Sequence, residues 1–326
     1  MIFDLHCDTL SKIFELKCAG ESVGLSSSSL AVDEKKLIAG DYMAQCFAAW
    51  VPVSTKNAYA VCREMIDIYY SELSRCEMLS PAYTYSDIEK HRKEGKISSI
   101  LTLEDAAPIE NDIEKLRELY ELGVRMIGLV WNYPNAAGYP NINNAMPENE
   151  MTRPVPNVKD GLTEFGCELV SEMNRLGIVI DVSHLSDAGF YDVAKISKKP
   201  FVASHSNSRS AAYHVRNMSD GMLKTLAEHG GVVGVNYYNV FLDSDAERGL
   251  NTVNCVTRHV KHIGSVIGYD YIALGSDFDG IPKGAELSFA SDIPKLVEGL
   301  CAAGFSESVI EKITHENAER VFRECL

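Results

Sequence analysis

Apolar residues lie in eight short, nearly continuous runs along the chain, and a longer segment with helical spacing separates each run from the next. Such runs, unlike alternating ones, are typical of parallel strands covered by helices. The predicted strands are Ile2–Leu5, Tyr42–Val51, Ile97–Leu103, Arg125–Trp131, Gly177–Val182, Phe201–Ser204, Gly231–Tyr237 and Tyr271–Ser276. Eight repeats of strand and helix predict a closed (β/α)8 TIM barrel that forms a single domain over residues 1–326.

Capping residues support the predicted helices between these strands. Thr163 can begin a helix that Gly177 ends, and Ser186 and Ser219 can begin two more. A doubly wound open sheet would show the same alternation of strands and helices. No G-x-G-x-x-G turn follows the first strand, which favours the barrel over that sheet.

A long segment at about residues 133–160 interrupts the alternation. It contains five of the eleven prolines and has no apolar period. A loop of this length in a compact chain is usually either functional or a linker. Two interpretations stay open, namely a lid over the mouth of the barrel and a tolerated surface loop.

Composition excludes several classes of protein. The chain has 31 Lys and Arg against 46 Asp and Glu, so its net charge is -15, and such a chain repels nucleic acid. No apolar run is long enough to span a membrane, and the N-terminus does not resemble a signal peptide. Nine cysteines without a C-x-x-C pair indicate reduced thiols. We therefore expect a cytoplasmic protein.

Potential metal ligands follow five of the predicted strands. The active site of such a barrel lies at the C-terminal ends of its strands, so residues directly after them should converge. Imidazole and carboxylate together are typical ligands of zinc and related divalent ions. The converging set is His6, Asp8, Glu104, His184, His205 and Asp277. The pattern as a whole predicts a metal site at the mouth of the barrel.

Six short motifs follow one another between residues 4 and 322. They are Asp4-Leu5-His6-Cys7-Asp8, Ser183-His184-Leu185-Ser186-Asp187, Ser204-His205-Ser206, Arg216-Asn217-Met218-Ser219-Asp220, Gly275-Ser276-Asp277-Phe278-Asp279-Gly280 and Asn317-Ala318-Glu319-Arg320-Val321-Phe322. Together they resemble the membrane (renal) dipeptidase family of zinc metallopeptidases, which is amidohydrolase-like. The resemblance implies a (β/α)8 barrel that hydrolyses the amide bond of dipeptides through a hydroxide bridging two zinc ions.

The resemblance also implies the ligands of each ion. His6 and Asp8 would hold one zinc ion, His184 and His205 would hold the other, and Glu104 would bridge the two. A shared carboxylate suits this role because it offsets the repulsion between cations held roughly 3.5–4 Å apart.

Two further residues match catalytic positions of the family. Asp277 would carry protons, although Asp279 lies close enough in the sequence to be mistaken for it. Arg216, eleven residues after His205, would bind an anionic part of the substrate or the oxyanion. Arg209 is its nearest competitor, and the sequence leaves that choice open.

Trp131 departs from the family pattern. Several members carry a histidine here that contacts the substrate carbonyl, whereas indole donates one hydrogen bond and carries no proton charge. Trp131 is therefore either a substrate-binding residue or a packing residue at the rim of the barrel. The other histidines, which we interpret as structural or solvated, are His91, His214, His229, His259, His262 and His315.

The leading hypothesis is a dipeptidase that takes small dipeptides and binds neither nucleic acid nor membrane; a homodimer is compatible with it. The alternative is a related binuclear amidohydrolase that acts on another small amide, lactone or ester. A non-catalytic metal-binding scaffold is a third hypothesis, and the presence of every proposed ligand and of the proton carrier disfavours it.

Overall fold

Nine strands form one parallel sheet in the part of the chain that the structure describes. The structure is a computed structural model and describes residues 1–142, 155–243 and 252–326. The strands are β1 (Ile2–Cys7), β2 (Tyr42–Ala49), β3 (Leu79–Pro81), β4 (Ile97–Leu103), β5 (Val124–Gly128), β6 (Val179–Asp181), β7 (Val202–Ala203), β8 (Val232–Val235) and β9 (Ile272–Leu274).

Eight of these strands close into a barrel. β1 pairs with β2 on one side and with β9 on the other, β2 pairs with β4, and β4 to β9 follow in chain order. The prediction of a (β/α)8 barrel is therefore confirmed, with each predicted strand in its place. The sequence analysis missed β3, whose three residues pair with Ile97–Ser99 of β4 and are too few to form a recognisable apolar run.

Helices separate most of the strands along the chain. Those in the described part are α1 (Thr9–Cys18), α2 (Glu34–Ala39), α3 (Ala58–Leu73), α4 (Tyr85–Lys93), α5 (Ile113–Glu121), α6 (Glu164–Leu176), α7 (Asp187–Ile196), α8 (Asp220–Glu228), α9 (Asn239–Leu242), α10 (Thr252–Ile267), α11 (Ile293–Ala302), α12 (Glu307–Glu311) and α13 (Asn317–Cys325). The predicted caps are confirmed, because the side chains of Thr163, Ser186 and Ser219 accept hydrogen bonds from the first turns of α6, α7 and α8.

Burial on both faces explains the apolar runs of the sequence. Every residue of β1, β2, β4 and β5 is buried, as expected for parallel strands inside a ring of helices. Phe322 of α13 packs on Phe3 of β1 with ring centroids 4.9 Å apart. This helix therefore covers the barrel near the N-terminal end of β1, away from the C-terminal strand ends.

The long segment after β5 is fastened to the barrel at both of its described ends. Asn141 donates hydrogen bonds to the carbonyl oxygens of Leu185 and Val215 and accepts one from the backbone N–H of Asn157. Residues 143–154, at the centre of the predicted lid, lie outside the described residues. No helix of the described part is both long and apolar enough to cross a membrane.

Candidate active site

The predicted metal ligands meet at the C-terminal ends of four strands. His6 lies in β1 with Asp8 directly after it, Glu104 follows β4, His184 follows β6 and His205 follows β7. All five are buried. Barrel closure has therefore collected residues that are up to 199 positions apart (from His6 to His205) into one cluster.

Glu104 lies at the centre of this cluster. Its Oε1 atom is 3.0 Å from Nε2 of His184, 3.6 Å from Nε2 of His205 and 3.8 Å from Nε2 of His6. Nε2 of His6 also lies 3.3 Å from Oδ2 of Asp8. One carboxylate thus reaches both halves of the ligand set, which is the geometry that a bridging ligand needs.

Hydrogen bonds determine which ring nitrogen of His184 carries the proton. Its Nδ1 atom lies 2.9 Å from Oδ1 of Asn132. An amide oxygen only accepts hydrogen bonds, so Nδ1 of His184 must be the donor and Nε2 keeps a free lone pair. Asn132 therefore orients this histidine towards Glu104 in the manner usual for metal-binding imidazoles.

A similar arrangement holds His205. The hydroxyl of Ser204 donates to Oδ2 of Asp181 at 2.5 Å and lies 2.7 Å from Nδ1 of His205. Because the only proton of this hydroxyl is used for Asp181, its oxygen accepts a hydrogen bond from Nδ1–H of His205. The Nε2 atom of His205 is then also unprotonated. Asn132, Ser204 and Asp181 escaped the sequence analysis, since their roles depend on how the histidine rings are turned.

The donor set fits a cation. The Nε2 atoms of His184 and His205 are only 3.0 Å apart, and two facing lone pairs repel unless a positive charge lies between them. Burial lowers the pKa of both histidines well below the usual range, with nearby positive charges adding to the effect. Two groups of three residues have their donor atoms within 4.8 Å of one another. One consists of His6, Glu104 and His205, and the other of His6, Asp8 and Asp277. These are typical zinc ligands.

Acidic groups are crowded around the same point. Burial raises the pKa of Glu104 well above its usual range, and the charges of Asp8 and Asp277 raise it further. Burial tends to lower the pKa of His6, but the hydrogen bond with Asp8 and the charges of Asp8 and Asp277 raise it to about 9. The cluster thus holds an excess of negative charge, which divalent cations would compensate.

The loop after β9 has an unusual backbone that brings its acidic residues to the cluster. Asp277 and Asp279 have φ values of 62° and 68°, a region that residues other than glycine seldom adopt. A Cβ atom on Gly280 would lie 2.0 Å from Oδ2 of Asp8 and 2.6 Å from Oδ1 of Asp277. A side chain at this position would displace both carboxylates, which explains the glycine at the end of the Asp277-to-Gly280 motif.

Asp277 and Asp279 occupy different environments. Oδ1 of Asp277 faces Nε2 of His6 at 3.8 Å, and Oδ2 accepts a hydrogen bond from Asn236 at 2.8 Å. Burial raises the pKa of Asp277 to about 7, near the range of a proton carrier. Asp279 instead accepts hydrogen bonds from Thr9 and from the backbone N–H of Ala31, so it joins two loops.

Arg216 and Arg209 also occupy different environments. Arg209 makes two hydrogen bonds of 2.8 Å with the carboxylate of Asp187, so its charge is already neutralised. Arg216 is buried, lines the central cavity, and donates to the backbone oxygens of Ser183 and His205. Its Nε atom has no partner among the described residues. Burial lowers the pKa of Arg216 to about 10, so it stays charged at neutral pH.

Trp131 lies on the wall of a cavity of about 630 Å³ that opens above the ligands. Its ring packs on Trp50 with centroids 4.8 Å apart, and its centroid lies 6.1 Å from that of His184. It is therefore both a packing residue and a surface that faces the cavity. The sequence does not indicate a role for Trp50, although it lies at the end of a predicted strand, because its side chain neither titrates nor binds metal.

The remaining histidines have structural partners in several cases. His91 lies 3.0 Å from the hydroxyl of Ser98, and His262 pairs with Asp220 at 2.9 Å. His259 is buried, accepts a hydrogen bond from the backbone N–H of Ser208 and donates to the carbonyl oxygen of Leu242. Their positions agree with the structural interpretation.

Comparison with known protein families gives a match over nearly the whole chain. The profile of the membrane dipeptidase family, peptidase family M19, matches residues 1–325. The chain belongs to this family. It is thus a metallo-dipeptidase by family, and its barrel is that of an M19 member.

Individual relatives agree with this assignment. A metallo peptidase from Rhodobacter sphaeroides, solved with a phosphinate mimic of the dipeptide L-Ala-D-Ala, is 27% identical, with a TM-score of 0.89 over 100% of this chain and 99% of that one. The dipeptidase AC, a metallo peptidase of family M19, is 28% identical, with a TM-score of 0.90 over 99% and 98% of the two chains. Dipeptidase tcpJ of Claviceps purpurea is 31% identical over 249 residues, which make up 76% of this chain and 56% of that protein.

Proposed function

We propose that this M19 member cleaves small dipeptides with two zinc ions, one held by His6 and Asp8 and the other by His184 and His205, with Glu104 between them. One observation carries this proposal. Oε1 of Glu104 lies within 3.8 Å of Nε2 of all three histidines. Bound zinc ions would polarise the peptide carbonyl and lower the pKa of a coordinated water.

Asp277 is proposed as the proton carrier of the reaction. It faces the ligand cluster from the loop after β9, and its pKa of about 7 lets it take up and release a proton near neutral pH. It accepts a proton from the attacking water and gives it to the amine nitrogen as the C–N bond breaks. Asn236 holds its other carboxylate oxygen in place.

Arg216 and Trp131 are proposed as substrate-binding residues. The buried guanidinium of Arg216 binds an anionic group, which is either the substrate carboxylate or the oxyanion that develops on the carbonyl. Trp131 contributes a flat apolar surface beside His184. Because an indole cannot carry a proton charge, oxyanion stabilisation would fall to Arg216 and to the metal ions when they are bound.

A reconstitution experiment tests this function. The purified chain is stripped with a chelator, reloaded with zinc and given a panel of L,L and L,D dipeptides, whose cleavage is followed by mass spectrometry. We expect activity only after reloading, with about two zinc ions per chain. Glu104→Gln should lower both the activity and the zinc content, whereas Glu94→Gln, at an exposed position at the C-terminal end of α4, should lower neither. Intact dipeptides across the panel despite bound zinc would contradict the proposal.

We also propose a cytoplasmic location and leave a homodimer as a prediction. All nine cysteines are free thiols, which supports a reducing compartment. Fractionation of the source cells tests the location, and recovery in a membrane or secreted fraction would contradict it. Light scattering on the purified chain measures the oligomeric state.

A further inference from the structure

The two tryptophans of the chain lie against each other at the mouth of the barrel. Trp50 follows β2 and Trp131 follows β5, and their ring centroids are 4.8 Å apart with an angle of 58° between the planes. β4 lies between these two strands in the barrel and ends next to Glu104. The pair of rings, called here the tryptophan wall, therefore lies beside the proposed bridging carboxylate.

The tryptophan wall forms an apolar side of the cavity. Both rings are half-buried and line the 630 Å³ space together with the apolar side chains of Phe14, Val61 and Ile281. The indole N–H of Trp50 is buried and has no acceptor among the described residues. The side of the cavity formed by these residues is thus largely apolar.

Charged groups near this side are already paired. Lys12 and Glu15 of α1 also line the cavity, but they form an ion pair with each other at 2.7 Å and are well exposed to solvent. They leave no unpaired charge to attract a charged side chain. The chemistry of the tryptophan wall therefore favours an apolar occupant.

The anion-binding group lies on another side of the barrel mouth, because Arg216 donates to the backbone oxygens of Ser183 and His205, which follow β6 and β7. Arg216 belongs to the loop after β7, and Tyr238, which also lines the cavity, follows β8. In the closed ring of eight strands, β7 and β8 stand opposite β2 and β4. A dipeptide whose carboxylate binds Arg216 would direct its amino-terminal residue towards Trp50 and Trp131.

We propose that Trp50 and Trp131 bind a bulky apolar side chain, aromatic or branched aliphatic, on the amino-terminal residue of the substrate. This inference rests on the proposed function through the binding of the substrate carboxylate by Arg216. A cavity of about 630 Å³ is in the range that accommodates drug-sized ligands. A dipeptide of two small residues would leave the rings uncovered, whereas a large side chain buries their apolar surface.

Kinetics on four dipeptides test the preference. We expect kcat/KM of the zinc-loaded enzyme to be at least about tenfold higher for Phe-Ala and Leu-Ala than for Ala-Ala, since each methylene in an apolar pocket contributes about 10- to 200-fold. Ala-Phe should show no such gain. Trp50→Ala should lower the Phe-Ala to Ala-Ala ratio at least about tenfold, and Tyr191→Ala, at an exposed tyrosine of α7, should not change it. Equal rates for Phe-Ala and Ala-Ala, or an unchanged ratio in Trp50→Ala, would overturn the proposal.

Tryptophan fluorescence provides a test that needs neither catalysis nor a variant. Because the chain has only two tryptophans, its indole emission reports on the tryptophan wall alone. Titration with L-Phe and L-Leu, the expected amino-terminal products, should change the emission at concentrations at which L-Ala has no effect. The same response to all three amino acids, or to none, would overturn the inference. Enzyme that responds to L-Phe but cleaves no dipeptide would instead contradict the proposed function and leave the tryptophan wall intact.

Discussion

The Nε2 atoms of His184 and His205 lie 3.0 Å apart at the centre of the barrel mouth. Neither atom carries a proton, because burial keeps both rings neutral and Nδ1 of each ring donates its hydrogen bond elsewhere, to Asn132 in one case and to Ser204 in the other. The barrel therefore directs two lone pairs towards the same point. This preorganisation is the feature on which the metal chemistry depends.

Asn132 should control metal affinity without touching the metal. Asn132→Ala removes the acceptor of Nδ1–H of His184, so the ring loses its orientation. We expect zinc affinity to fall about 10- to 100-fold, the usual effect of removing such a partner. Competition with a chromophoric chelator measures the affinity. The matched control is Asn174→Ala, which removes a hydrogen bond from Asn174 to the hydroxyl of Ser197 at the end of α7. An equal loss of zinc affinity in both variants would contradict the role assigned to Asn132.

Asp277 should be needed for turnover but not for metal binding. Asp277→Asn keeps the shape of the side chain and removes its ability to carry a proton, so kcat should fall about 10²- to 10⁴-fold. Metal content, measured by mass spectrometry, should stay near that of the parent. Asp67→Asn, at an exposed position of α3, serves as the control and should keep full activity. If Asp277→Asn loses one zinc ion, Asp277 is a ligand and not the proton carrier.

Replacement of each arginine by lysine should distinguish the role of Arg216 from that of Arg209. Lysine cannot reproduce the two-pronged guanidinium, so Arg216→Lys should lower kcat/KM about 100-fold or more, in the range found for the loss of an oxyanion donor. Arg209→Lys should act mainly on the melting temperature, because Arg209 pairs with Asp187 in the first turn of α7. A large loss of kcat/KM in Arg209→Lys with normal stability would reverse the assignment.

His259 should make the folded chain sensitive to mild acid. Burial lowers its pKa to about 4, whereas an unfolded chain keeps the usual value of 6.5. Its contribution to stability is therefore complete above pH 6.5 and is lost as the pH falls towards 4, because the unfolded chain then binds the proton more readily. The loss amounts to at most about 3 kcal/mol.

Urea unfolding at pH 7.5 and pH 5 measures this effect. His259→Gln has no titrating group at this site, so the stability difference between the parent and this variant should shrink at pH 5. A difference that stays the same or grows in acid would contradict the prediction. His229→Gln is the matched control, since His229 lies half-buried at the end of α8.

The barrel and its metal ligands could be predicted from the sequence because both follow from local signals. The strand that ends before Glu104 is rich in apolar residues and buried along its whole length, and closure of the barrel brings its end next to His184. Asn132 could not be predicted, since its role depends on the rotation of the His184 ring. Trp50 carries no charge, so the sequence does not indicate that it binds substrate. That role follows only from the cavity beside it.

The distinction between Asp277 and Asp279 also needed the structure. Both lie in one short acidic motif, and the sequence favours Asp277 because it lies nearer the strand end and matches the acid–base position of the family. The reversal of the backbone at positive φ values turns one carboxylate towards His6 and the other towards Thr9. Such a turn depends on tertiary contacts that single residues do not reveal.

Anomalous diffraction at the zinc absorption edge, from crystals of the zinc-loaded chain, tests the central claim most directly. We predict two peaks roughly 3.5–4 Å apart, one next to His6 and Asp8 and one next to His184 and His205, with the carboxylate of Glu104 between them. The absence of peaks at the mouth of the barrel, or peaks held by other residues, would contradict the account.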